Sequence, residues 1–161
     1  MISRKYVPRS DGMSRALGAV VVGTPDTLVV EVRQDVDVFL ARAEARNLAE
    51  RSGFSGSELE EIARLATALA SHVIQRRTVG VVHLRSVRDG RQGPGIIIMT
   101  IDRGPPIPNL NGQSNLEDTA DGSPLASARR LSHSLTHEVK DGSNIVCAAR
   151  WVCAPVRKIT R

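Results

Sequence analysis

Aromatic side chains are nearly missing from this chain. Tyr6, Phe39, Phe54 and Trp151 are all that occur in 161 residues, or 2%, and so few rings argue against a stacking platform for single-stranded nucleic acid. Cysteine is as scarce: only Cys147 and Cys153 occur. They stand six apart, so one extended strand would aim both thiols the same way but too far apart to bridge. Neither has a second C-x-x-C pair or a histidine at metal spacing, and reduced, structural thiols are expected. No apolar run reaches membrane-spanning length, and charges interrupt the N-terminus before any signal-peptide core. The reading is a cytoplasmic protein without membrane contact.

What is there is an ordinary globular composition, 41% hydrophobic and 24% charged, in a length suited to one domain with a real core. The formal net charge is +5. Much of the excess lies at the ends, in Arg4, Lys5, Arg9 and Arg15, then Arg150, Arg157, Lys158 and Arg161. No basic helix or DNA-binding motif accompanies it, so solvated termini explain the charge better than nucleic acid does.

Residues 1–23 read as an N-terminal extension, either a frayed tail or an added edge strand, ahead of a domain over 24–161. Thr27 to Val32 reads as a strand after a turn at Thr24-Pro25-Asp26. Val36, Phe39, Leu40, Ala43 and Leu48 fall at helical spacing within Asp35 to Arg51, and Gly53 closes that helix. A second helix is expected to open at Ser55, with Glu58 completing a capping box, and to run to Val73. Its stripe places Ala68 and His72, four apart, on one face beside the core.

Val79 to Val87 and Ile96 to Ile101 read as a hairpin around a turn at Asp89 to Pro94. The second of these strands delivers Asp102 at its C-terminal end, where Arg103, Gly104, Pro105 and Pro106 stop the sheet. Arg103 to Asp121 has no periodicity and is either a functional lid or disordered. Ser123 and Pro124 supply an N-cap and first position for a third helix to about His133, exposing Arg129 and Arg130 beside Leu131. Leu135 to Lys140 and Asn144 to Val152 form a closing hairpin around Asp141-Gly142. The mixed order of helices and strands points to a two-layer α/β sandwich.

Four stretches carry a resemblance: ARNLAERSGFSGSELEEIARLATALASHVI, IIIMTIDRGPPIPNL, SPLASARRLSHSLTHEV and GSNIVCAARWV. In this order they resemble the GHKL (Bergerat-fold) ATPases, and most of all the small anti-sigma-factor serine kinases, such as the switch kinases of bacterial stressosome modules. The resemblance spans roughly Thr27 to Val152. It implies a mixed sheet with about three helices on one face, ATP or ADP with Mg²⁺ as cofactor, and frequent homodimers. It also implies protein partners: a STAS-domain anti-anti-sigma factor, a sigma factor or a phosphatase regulator.

Position by position, the implied machinery is incomplete. The family's E-x-x-x-N motif supplies a catalytic base and a Mg²⁺ ligand, and Ala68 and His72 stand at those positions. Alanine can take no proton, and imidazole is a poorer ligand than oxygen for hard Mg²⁺. His72 is left either as a phosphate contact or as a packed histidine. Asp102, at the position that meets the adenine amino group, and Gly104 are retained, while Pro106 replaces the second glycine. Asp102 either contacts adenine or caps a turn. Gly122 matches a glycine of the phosphate-binding segment, but Pro124 and Ser127 replace others, and proline removes an N–H from the helix start. The nucleotide set implied is His72, Asp102, Gly104 and Gly122, with no catalytic residue and no metal ligand. The reading favoured is a regulator of partner switching that acts by protein binding, a pseudokinase. The alternative is an active ATP-dependent serine kinase acting on a STAS-domain partner.

Overall fold

The computed structural model describes residues 21–24, 26–107 and 122–153. Six strands, β1 (Val21–Thr24), β2 (Thr27–Val32), β3 (Gly80–Asp89), β4 (Gly93–Asp102), β5 (Ser134–Lys140) and β6 (Ser143–Trp151), form one sheet in the order β1-β2-β3-β4-β6-β5. Three helices, α1 (Asp35–Arg51), α2 (Ser57–Gln75) and α3 (Pro124–Leu131), complete the described elements. Alternate strand residues such as Leu28, Val30, Val82, Leu84, Ile96, Ile98 and Val146 are buried in one core with Leu48, Ile62, Leu69 and Ala128 of the helices. The result is two layers, sheet below and helices above. Of the N-terminal extension, Val21–Thr24 is an edge strand on β2; residues 1–20 lie outside the described residues.

The sheet is not mixed: every neighbouring pair runs antiparallel. Two helices, α1 and α2, join β2 to β3, so the chain returns at the end it left and β3 enters antiparallel. The single-helix crossover through α3 does make β5 parallel to β4, but β6 lies between them. A helix-for-strand reading sees the crossover and misses the inserted strand.

Local chemistry sets the ends. Asp37 Oδ2 accepts the N–H groups of Arg33 (2.8 Å) and Gln34 (3.1 Å) at the start of α1. Gly53, at φ +99°, ends it, with Phe54 N–H on Ala49 O (3.0 Å) and Gly53 N–H on Glu50 O (3.2 Å), the Schellman pattern. The expected capping box at Ser55 does not form. Gly56 is the N-cap of α2, and the Glu58 carboxylate instead accepts the N–H of Cys153 at 2.9 Å. Gly93 and Pro94, expected in a turn, lie in β4, because Asp89 Oδ1 accepts the N–H groups of Arg91 (2.7 Å) and Gln92 (2.9 Å) and closes the hairpin earlier. α3 stops at Leu131, short of His133, since β5 begins at Ser134. Its N-cap is as expected: Ser123 Oγ accepts Ala126 N–H at 3.2 Å. Cys147 is half-buried, Cys153 is exposed, and both are free thiols. The long loop is described only to Ile107, and 108–121 lie outside the described residues.

One glycine decides how closely α2 meets the sheet. A Cβ on Gly80 would lie 2.8 Å from both Ile101 O and Val73 Cγ1 and 3.3 Å from Asp102 Cβ. Its absence lets the end of α2 settle directly over Asp102.

Candidate functional site

Alternation along β4 turns Thr100 and Asp102 toward the helices, after the wholly apolar Ile96 and Ile98. Across β6, Asn144 is the register partner of Asp102 and Val146 that of Thr100; across β5, His137 is opposite Val146. His72 comes down from the last turn of α2. The five polar residues are all buried, Thr100 completely and Asp102 with 2% exposure. One end of the core is therefore polar.

Most of this cluster is tied to itself. Asp102 Oδ1 accepts Gly104 N–H (2.8 Å) and Asn144 Nδ2 (3.1 Å), and Arg76 Nε lies 3.7 Å away. Asn144 Nδ2 also reaches the carbonyls of Gly104 (3.0 Å) and Pro105 (3.1 Å), and its Oδ1 accepts Ile107 N–H at 3.1 Å. Arg76 Nη2 donates to Pro105 O. Strand, turn and helix end are thus laced through one carboxylate and one amide. Buried atoms here without a hydrogen-bond partner among the described residues include Asp102 Oδ2, His72 Nε2, Thr100 Oγ1 and Arg76 Nε. Buried polar atoms are nearly always paired, with protein, water or ligand.

The His72 imidazole is pushed down to about 4, first by burial and then by the Arg76 guanidinium and His137, with the Asp102 carboxylate opposing. It is neutral at pH 7. Enclosed beside a guanidinium, it is a poor Mg²⁺ ligand on charge as well as on donor type. Ala68, at the expected base position, is almost buried and carries no proton acceptor. Among the described residues, no three His, Cys, Asp or Glu side chains come together to hold a metal. The positions implied for the Mg²⁺ ligand and the base thus carry a neutral, enclosed imidazole and a methyl group. Of the implied nucleotide set, His72, Asp102 and Gly104 are brought together. Gly122, at φ +101° with open space where a Cβ would stand, serves the turn ahead of α3.

α2 also borders an open space on the side that carries Ala68. A cleft of about 480 Å³ opens between α1, α2 and α3, with Ala68, Ser71 and Gln75 on one wall and Pro124, Ser127 and Leu131 on another. Arg42, Arg64 and Arg130 also line it, and among the described residues no acidic side chain does. Arg42 is paired with Glu60 (2.9 Å) and donates to Thr67 Oγ1 (3.4 Å). Arg130 reaches only Ser127 Oγ, at 3.5 Å, and Arg64 is exposed without an ion pair among the described residues. Of these three, only Arg130 is expected from the sequence as an exposed contact. The available signal was the polar row Arg64, Thr67, Ser71 and Gln75, three or four apart and opposite the core stripe of α2.

No family model matches this chain, and no curated protein matches it.

Proposed function

We propose that this chain is a cytoplasmic regulator of Bergerat-fold type that binds protein partners in an anti-sigma-style switch and transfers no phosphoryl group. The observation that carries it is the pair Ala68 and Asp102. Where a base is needed there is a methyl group, and one oxygen of the carboxylate implied for adenine is already held by Gly104 and Asn144. A neutral, enclosed His72 in place of the Mg²⁺ ligand and a proline at the start of α3 support the same reading. Phosphoryl transfer rests on metal and positioning, and each support for it is weakened here.

One observation favours a second reading, in which ATP or ADP is held without turnover. Asp102 Oδ2 and Thr100 Oγ1 are buried on the same side of β4 and lack partners among the described residues. An exocyclic amino group is a donor suited to both.

Calorimetric titration with ATP and ADP, with and without Mg²⁺, followed by incubation with STAS-domain proteins and mass spectrometry for phosphoserine, tests these readings. The expected result is no phosphoserine. Heat at micromolar nucleotide that Asp102→Ala abolishes, still without phosphoserine, selects the second reading. Multiple-turnover phosphoserine formation overturns both in favour of an active serine kinase.

A further inference from the structure

We propose that the cavity between the end of α1 and the β3–β4 hairpin binds the zwitterion of an aliphatic α-amino acid. The space measures about 420 Å³ and is lined by Asp26, Leu48, Ser52, Ser86, Arg88 and Pro94, with Arg51 on its rim. It is far from the polar cluster, because β4 runs from Pro94 at this cavity to Asp102, a rise of roughly 26 Å. Two charges carry the argument. Asp26 and Arg88 are exposed, opposite in sign and line one cavity, yet neither has an ion-pair partner among the described residues. They stand too far apart to satisfy each other. The Arg51 charge acts on the buried Glu44 carboxylate, so the uncommitted lining holds one charge of each sign. A simple anion would face Asp26 and a simple cation would face Arg88, whereas a zwitterion meets both.

The hydroxyls assign the two ends. Ser52 Oγ lies 2.6 Å from Leu48 O and 2.8 Å from Ser86 Oγ. A carbonyl can only accept, so the single Ser52 hydroxyl hydrogen goes to Leu48 O, and the Ser86 hydroxyl hydrogen completes the second bond. Ser86 Oγ then meets the cavity with lone pairs alone. The Ser86 N–H also donates to Asp26 O at 2.8 Å, which ties this oxygen and the Asp26 carboxylate to one corner. Acceptors without donors suit an ammonium. Arg88 lies two residues further along β3, on the same face as Ser86 and opposite Pro94 in register, and its guanidinium can meet a carboxylate through paired N–H groups. Leu48 and Pro94 supply apolar surface for an aliphatic side chain, and the volume falls within the range of small-molecule pockets. This inference does not rest on the regulator role proposed above.

The test is an amide-shift titration of the whole chain by two-dimensional NMR. The probes are L-leucine, N-acetyl-L-leucine, which lacks the ammonium, and L-leucinamide, which lacks the carboxylate. L-Leucine is expected to shift the amides of Arg51–Gly53 and Ser86–Arg88 saturably. Each derivative is expected to bind about tenfold or more weakly, as the loss of a charge-assisted contact implies. Asp26→Asn should weaken L-leucine to a similar degree and erase its advantage over N-acetyl-L-leucine. Arg88→Ala should instead erase its advantage over L-leucinamide. Both side chains are exposed, so these substitutions leave the fold intact, which the remaining amides report. Arg85→Ala, on the same strand but the opposite face, is the control and leaves affinity unchanged. No saturable shift at tens of millimolar L-leucine, derivatives that bind as tightly as L-leucine, or affinity indifferent to both substitutions overturns the proposal. Shifts confined to Asp102–Gly104 do so as well. Nucleotide binding and phosphoserine formation, read separately, bear on the functional reading and leave this result standing.

Discussion

Asn144 stands directly across the β4–β6 ladder from Asp102 and donates its Nδ2 to Asp102 Oδ1 at 3.1 Å. The same amide holds both carbonyls and the Ile107 N–H of the segment leaving β4. A single side chain on β6 therefore fixes where the chain goes after the sheet ends. It also fixes which carboxylate oxygen stays available, since Oδ1 is taken and Oδ2 is not.

Replacing Asn144 by alanine removes these bonds at once and leaves Asp102 buried with one N–H donor and a guanidinium at 3.7 Å. Leaving buried acceptors unpaired costs about 2–3 kcal/mol here. Urea unfolding of Asn144→Ala should show that loss as a lower midpoint at unchanged slope. A loss under 0.5 kcal/mol, roughly the scatter of surface substitutions, would show that the lacing is dispensable.

His72 makes a prediction about acid. Its folded value of about 4 lies below the ordinary 6.5, so between these values the unfolded chain binds a proton that the folded chain refuses. Stability contributed by the neutral histidine is complete above pH 6.5, falls as pH drops through that window and is gone near pH 4. The full span is about 3 kcal/mol at most. Carboxylates titrate at the acid end as well, so the check is a difference: the stability of wild type minus that of His72→Gln, measured from pH 7.5 to 4.5. That difference should shrink steadily below pH 6.5. A flat difference would mean that the imidazole takes up its proton inside the fold.

Gly95 faces the only tryptophan of the chain. A Cβ there would stand 2.4 Å from Trp151 Cε3, and the two residues are register partners on β4 and β6. Gly95→Ala should displace the indole, shift the Trp151 emission and cost about 1–2 kcal/mol. Unchanged emission would mean that the ring does not rest on this glycine.

Much of the fold was written locally. Gly53 after a charged helix end, Ser123-Pro124 ahead of a helix and Asp141-Gly142 between two apolar stretches each specify a conformation within a few residues. The last pair adopts φ of 51° and 76°, as a tight hairpin requires. What could not be read depends on distant partners. Nothing near Glu58 in the chain indicates that its carboxylate goes to Cys153 rather than to a cap. The antiparallel sheet follows from β6 inserting between β4 and β5, a choice of neighbour that periodicity does not encode. In the site, Asp102 was legible because it ends an apolar strand. Asn144, at the start of a hairpin strand, resembles any turn-flanking asparagine until the register sets it opposite Asp102. Arg42 and Arg64 lie on different helices, and only the packing of α1 on α2 makes them walls of one cleft.

Arg150 joins the cleft to the sheet. From β6 its Nη1 donates to Leu131 O, at the end of α3, at 2.6 Å, and its Nη2 pairs with Glu61 of α2. The guanidinium is largely buried, its side chain being 11% exposed. This one group therefore holds two walls of the cleft at a set spacing. Arg150→Ala frees a helix-end carbonyl and leaves the Glu61 carboxylate, 35% exposed, to water. The expected cost is about 2 kcal/mol, because the hydrogen bonds lost involve a charged donor. The local effect should exceed the global one. Hydrogen exchange at the amides of Ala128–Leu131 should accelerate more than at Val146 and Ala148 in the neighbouring strand. Glu61→Ala, which removes only one of the two attachments, should accelerate α3 less. If both variants loosen α3 equally, the Leu131 carbonyl contributes nothing, and the Arg150–Glu61 pair alone fixes the helix.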